Sequence, residues 1–128
     1  MSIHCICSFA YDLCLALPVF TIIPQNKTAD VAETVYLKCN AVSRSGSKPK
    51  IQWYKSGKMV LPSAQYFVLR GIFVIFNAVV SDAGTYTCSA TNNAGEVQTS
   101  MYLRIESQTG PGKSLDFFLF IINFMNVI

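Results

Sequence analysis

Cysteine is the residue best able to do chemistry in this chain of 128 residues, which contains five: Cys5, Cys7, Cys14, Cys39 and Cys88. Three of them crowd the first 14 residues and the central segment holds two, an odd total that calls for an explanation in a candidate secreted protein. The single histidine, His4, lies in the same N-terminal segment. No Ser–His–Asp set, paired-carboxylate site or metal-ligand cluster can be assembled from what remains. The expectation is a domain without catalysis, cofactor, metal or small-molecule substrate.

Charge offers a second kind of chemistry. Arg44, Lys48, Lys50, Lys55 and Lys58 place five of the ten basic residues within 15 positions. Such a run reads as a patch for heparan sulfate or another acidic partner, binding by steering and multiple charge contacts. The plainer reading is an ordinary solvated edge that blunts aggregation, with the five residues around one end and edge of the second sheet. The net charge of +3 is too small to imply nucleic acid, and no RNA- or DNA-binding motif accompanies it. Tyr36, Tyr54, Tyr66, Tyr102, Phe67 and Phe76 are assigned to faces opposite the core, where aromatics suit a protein interface.

These residues need a scaffold. Hydrophobic residues make up 52% of the chain and charged ones 13%, which excludes disorder, and the length allows one domain. Pro18–Ile23 reads as an edge strand, where proline is tolerated. Thr34–Cys39 alternates strictly, with Val35, Leu37 and Cys39 on one face. Ser43–Pro49 is a turn cluster, and Lys50–Lys55 alternates again with Ile51 and Trp53 inward. Ser56–Gly57 and Arg70–Gly71 are hairpin signals, the second between Tyr66–Leu69 and Ile72–Phe76. Thr85–Thr91 and Val97–Ile105 form a last pair joined by Asn92–Gly95. Strands at such spacing predict a sandwich or barrel.

Cys39 and Cys88 lie 49 positions apart, Trp53 follows the first by 14, and Tyr86 precedes the second by two within Asp82–Ala83–Gly84–Thr85–Tyr86–Thr87–Cys88. In these residues the sequence resembles the immunoglobulin superfamily, and Ala90–Glu96 resembles its intermediate, or I-set, subtype in particular. The resemblance covers roughly residues 18–106. It implies an all-β, two-sheet antiparallel Greek-key sandwich with one inter-sheet disulfide, Cys39–Cys88, and Trp53 packed against it. Closing that loop stabilises by about 4 kcal/mol in the chain-entropy model. Leu37, Phe73, Ile75, Leu103 and Ile105 supply more of the core. The Tyr86 hydroxyl is expected to bond back into the tight corner at Asp82 and Gly84, with Asp82 a structural acid bonding nearby backbone or a basic partner.

A disulfide requires an oxidising compartment, and the sequon Asn26–Lys27–Thr28 agrees with an extracellular location. Residues 1–17 form an apolar segment that makes a poor signal peptide, with Asp12 inside the apolar run and no basic start. Residues 107–128 comprise a linker and an apolar tail. Leu115–Ile128 is 14 residues long, short of the roughly 20 that a membrane-spanning helix needs. Gly112–Lys113–Ser114 can be encoded by codons that contain a splice-donor consensus, and Pro18–Val19 by codons that contain an acceptor. The expectation is therefore that both ends are translated intron flanking one domain exon.

The leading functional expectation is an extracellular adhesion module, one domain of a larger cell-surface or matrix protein. It would contact other proteins, homophilically or heterophilically, or neighbouring immunoglobulin-like domains. Asn92–Gly95 and Ser43–Lys50, at opposite or adjacent ends, are the expected contact loops. The alternatives are the targeting module of an extracellular matrix enzyme and an intracellular sarcomeric spacer. Phe117–Ile122 has high β propensity, no charge and no proline, the profile of an aggregating segment. Residues 18–108 alone are expected to remain soluble at higher concentration than the full chain; equal solubility by matched-concentration sedimentation would refute this.

Overall fold

The computed structural model describes residues 16–107, and in them the alternating runs become ten strands. They are β1 (Val19–Ile22), β2 (Lys27–Asp30), β3 (Val35–Lys38), β4 (Asn40–Val42), β5 (Lys50–Lys55), β6 (Lys58–Met59), β7 (Tyr66–Leu69), β8 (Ile72–Ile75), β9 (Gly84–Asn92) and β10 (Gly95–Glu106). A 3₁₀ turn, Val80–Asp82, precedes β9. Of the two end segments, 1–17 and 107–128, only Ala16, Leu17 and Ser107 are described; the rest, with Cys5, Cys7, Cys14 and His4, lies outside the described residues.

One layer is the five-stranded sheet β2–β10–β9–β5–β6. The other consists of β3–β8–β7 and the pair β1–β4. The run expected as one strand, Thr34–Cys39, holds β3 and ends at Cys39, where the chain breaks and continues directly into β4, a strand the alternation does not mark. Below the break the chain pairs with β8; above it, with β1. One feature departs from the all-antiparallel pairing expected of the sandwich: β2 runs parallel to β10. β2 reads Lys-Thr-Ala-Asp and buries only Ala29, so no alternation marks it in the sequence. Its pairing is main-chain bonding to β10, helped by the Asn26 carbonyl oxygen Oδ1, which accepts from the Tyr102 N–H at 2.8 Å.

Between the layers lie Val35, Leu37, Trp53, Phe73, Ile75, Tyr86 and Leu103, each 2% exposed or less. The Phe73 ring is central, with ring centres of Tyr66, Tyr86 and Trp53 at 5.6, 5.7 and 6.0 Å. Cys39 and Cys88 form the disulfide, their Cα atoms 6.5 Å apart. Trp53 is the register partner of Cys88 across β5 and β9, which places both on the inner face. A smaller apolar cluster of Ala41, Ala90 and Val97, backed by Leu17, Phe20 and Ile51, fills the end near β1 and β4.

Both two-residue hairpins form where Gly follows a turn residue. Ser56–Gly57 has φ of 49° and 81°, and Arg70–Gly71 has 51° and 80°, the paired positive values of a type I′ turn. The two glycines differ in what surrounds them. A Cβ at Gly57 would meet nothing within 4 Å, whereas one at Gly71 would sit 2.0 Å from the Cys39 carbonyl oxygen. Gly71 returns a main-chain bond, its carbonyl accepting from Cys39 N–H at 3.0 Å, and it also accepts from the Trp53 indole at 3.4 Å. Gly57→Ala is therefore expected to cost about 1 kcal/mol of backbone strain, and Gly71→Ala about 3 kcal/mol or more because the β3–β4 junction must move. Urea unfolding followed by Trp53 fluorescence measures both; equal losses would show that strain alone is at work.

Candidate interaction surfaces

The corner before β9 is the most polar part of the interior. Asp82 is 1% exposed, and its carboxylate accepts from the Val79 N–H at 2.8 Å, from the Gln65 amide at 3.1 Å and from the Tyr66 hydroxyl. Its main-chain carbonyl accepts from the Tyr86 hydroxyl at 2.6 Å, the bond expected of the tyrosine corner. Asp82 is thus a structural acid held by backbone and neutral side chains rather than by a basic partner. Gly84, at φ 148°, opens β9 directly after this corner. Burial, then the hydrogen bond to Asp82 and its negative charge, raises the Tyr66 hydroxyl from its ordinary 10.0 to about 12. Burial, then the charges of Asp82 and Tyr66, pushes Tyr86 further up still.

Tyr66 is accordingly not an outward aromatic. In a strand, neighbours face opposite sides, so Tyr66 and Phe67 cannot both point away from the core. Tyr66 packs against the core cluster, while Phe67 is 47% exposed. Tyr36, Phe76 and Tyr102 are exposed as expected, and Tyr54 is half-buried.

The two outer faces differ in character. On the five-stranded sheet the outward positions are mostly hydroxyls and amides, among them Thr87, Gln52, Gln98 and Ser100, with Tyr54 and Tyr102 between them. On β3–β8–β7 the outward positions form two cross-strand rows. One is Tyr36–Val74–Phe67 and the other Lys38–Ile72–Leu69. Tyr36 is 50% exposed and Leu69 is 54%. Beside β3 this face runs into an open groove of about 710 Å³ lined by Ile22, Ile23, Pro24, Tyr36, Lys38 and Ile72.

The five-residue basic run does not gather into one patch. Lys50 and Lys55 occupy opposite ends of β5, roughly 16 Å apart at the rise of an extended strand. Arg44, Lys48 and Lys50 lie toward the end that holds the turn after β4, and Lys55 and Lys58 toward the other. Lys55 is engaged there: its ammonium donates to the Ser81 carbonyl and lies 5.7 Å from the centre of the Tyr86 ring. What the sequence conceals is a wider asymmetry. Between Thr34 and Ser81 there are seven basic residues, Lys38 and Arg70 among them, and no acidic one.

The two expected contact loops meet at one end. The Asn92 amide donates to the Ser43 hydroxyl at 3.2 Å and to the Ala16 carbonyl at 2.7 Å. A cleft of about 560 Å³ lies there, lined by Ala16, Ser45, Ser47, Lys48, Asn92, Asn93 and Ala94. Asn26 is exposed between β1 and β2 with its Oδ1 bonded to β10, as described above.

The immunoglobulin I-set domain family matches residues 18–105. The chain is similar to the human probable oxidoreductase PXDNL, 32% identical over 103 residues that take in 80% of this chain and 7% of that protein. It is similar also to neuroglian of Drosophila melanogaster, 33% identical over 96 residues, 73% of this chain and 7% of that one. Among solved structures, titin domain M7 superimposes with a TM-score of 0.64 at 27% identity, over 71% of this chain and 95% of that domain. The chain thus spans 7% of the length of either of these two curated relatives.

The hydroxyl at Tyr66 has a consequence for alkaline stability. Its folded pKa lies above the unfolded value, so its contribution is complete below pH 10 and is lost as pH rises through about 12. The melting temperature is expected to fall across that window, and Tyr66→Phe to flatten part of the fall. Tyr86→Phe, which leaves the buried Asp82 carbonyl without its donor, is expected to cost about 2 kcal/mol at neutral pH. Thermal melts of the three proteins between pH 7 and 12 check both; a Tyr66→Phe profile parallel to the wild type would remove the Tyr66 contribution.

Proposed function

The chain belongs to the immunoglobulin I-set domain family, and from that membership we propose that it works as a non-catalytic, extracellular protein-binding module within a larger cell-surface or matrix protein. The observation that carries the reading is the fully buried Cys39–Cys88 disulfide, which forms and persists in oxidising compartments. The small share of each relative that the chain spans supports a place as one bead among many. Residues 18–106 are taken as the bead. A parent that is a matrix enzyme would leave the task of this domain unchanged, because the fold supplies a scaffold and its faces supply the recognition.

Location is tested by thiol accounting. After denaturation without reductant and alkylation, peptide mapping is expected to find Cys39 and Cys88 joined. Two alkylated thiols at these positions in the natively expressed protein would instead favour the intracellular spacer. Passage through the secretory pathway is expected to add a glycan at Asn26, whose Nδ2 is the atom modified while Oδ1 keeps its bond to β10. A deglycosylase-sensitive mass shift, absent in Asn26→Gln, measures it.

A second reading concerns polyanions. Lys48 lines the cleft at the loop end, Arg44 lies in the same turn and Lys50 opens β5 opposite Thr91, an arrangement that supports contact with heparan sulfate there. Charge reversal at Lys48 and Lys50 is expected to lower the salt concentration that elutes the protein from heparin. Reversal at Lys58, at the far end of β5, is expected to change it little. Equal effects from both would return the binding to diffuse net charge.

A further inference from the structure

The apolar outer face of β3–β8–β7 is out of place on a domain whose other face is covered with hydroxyls. Val74 and Ile72, on the central strand, are flanked in register by Tyr36 and Phe67, and by Lys38 and Leu69. Phe67, Leu69 and Tyr36 are each about half exposed, and Phe76 extends the row at 41%. Aromatic and branched side chains on three short strands, set around Val74, which they cover to 8% exposure, present contact area at low entropic cost, and exposed apolar groups clustered in this way mark interaction sites.

The charges around the face say what covers it. Lys38 stands on the face, Arg70 in the turn that joins β7 to β8, and Lys27 across the groove, where its ammonium reaches the Tyr36 carbonyl at 3.3 Å. No carboxylate lies on β3, β7, β8 or the turn between them. The acid nearest along the chain, Glu33, precedes β3 and accepts from the Asp30 N–H at 2.8 Å. A second copy applied through the same face would bring these cations together with no acid to pair them. A membrane surface would favour a protruding apolar tip, whereas here the apolar side chains border a concave groove. Size narrows the choice again. Three four-residue strands cover roughly 13 by 14 Å, far less than the roughly 800 Å² per partner of a standard protein interface. The face suits one strand or ridge.

We infer that the outer face of β3–β8–β7 docks an extended protein segment whose centre is apolar and whose flanks carry carboxylates. The inference rests on the reading of this domain as a protein-binding module, and names the face and the chemistry of its partner. The apolar centre lies on Tyr36, Phe67 and Ile72, and the flanking acids meet Lys38 and Arg70.

Nuclear magnetic resonance titration of the isotope-labelled full chain tests it. Two synthetic peptides serve as probes, sharing a Leu-Trp-Leu-Phe centre and flanked on both sides by glutamates in one and by lysines in the other. Amide shifts are expected to cluster on β3, β8 and β7, with the acidic peptide binding roughly fivefold tighter or better. Phe67→Glu is expected to abolish the shifts, and Phe67→Ser, which keeps the face neutral, to weaken them; Thr87→Glu on the other sheet should leave them unchanged. Lys38→Glu with Arg70→Asp is expected to reverse the preference between peptides. Shifts confined to the five-stranded sheet or the loop end would overturn this face while leaving the module reading intact. Equal binding of both peptides would overturn the carboxylate requirement, and binding to no surface at all would count against both readings. Phe67-dependent dimerisation in sedimentation, or Phe67-dependent capture by phosphatidylserine vesicles without peptide binding, would overturn the inference in favour of a second copy or a membrane.

Discussion

The structure turns on a crossing at Cys39. At this residue the chain leaves its partnership with β8 and takes up one with β1. Its sulfur ties it to Cys88 in the opposite sheet. Its main-chain N–H is held by the Gly71 carbonyl, and its own carbonyl occupies the space that a side chain at position 71 would need. The Gly71 carbonyl also receives the Trp53 indole N–H. A covalent bond, a type I′ turn and the largest core side chain therefore meet within a few ångströms. The disulfide acts by limiting the unfolded chain, while the glycine and tryptophan act in the folded state by fixing how closely β3 approaches the β7–β8 hairpin.

That crossing accounts for much of what the sequence made legible. Cysteine, tryptophan and tyrosine at fixed offsets define the inner faces of three strands at once, because alternation leaves each only one orientation that reaches the bond. The two Gly-containing turns could be read from dipeptides alone, since positive φ at two successive residues is rarely met by other sequences. The parts that escaped are those with no local pattern. β2 buries one alanine and is defined by main-chain bonding to a strand more than 70 residues later. Tyr66 looked outward because it is aromatic and terminal in its run; its place inside follows from Asp82, 16 residues on, which cannot be buried without donors. The basic residues are close in sequence, yet an extended strand carries Lys50 and Lys55 to its two ends. The same strand geometry brings the turns at Ser43 and Asn92 together, though 49 residues separate them.

A two-layer domain has one interior, so every strand donates half of its side chains to the outside. What stands there is free of the fold's demands. The five-stranded sheet uses that freedom for threonine, serine and glutamine, side chains that interact across strands and stay compatible with water. The three-stranded sheet carries tyrosine, phenylalanine, leucine and isoleucine in the same kind of position. Folding does not ask for this difference, since the inner faces already supply the core. The cost falls on solubility and on the exposed edges, which makes function the better account of why these side chains stand where they do.

The size of the apolar face also bears on how such a module is used. A contact made by a handful of side chains is weak by itself, because association must first overcome lost translational and rotational freedom. In a chain of many domains the second contact becomes intramolecular, and its effective concentration is set by the spacing of the beads rather than by bulk dilution. A rigid bead is the useful component for such an arrangement. The disulfide, the Asp82 corner and the close fit at Gly71 hold the outer faces in fixed relation, so a partner segment loses entropy while the module loses little. Weak recognition with low reorganisation, repeated along a chain, gives avidity that depends on geometry and can be undone one contact at a time. The stiffness of the core is thus the property that lets a small surface matter.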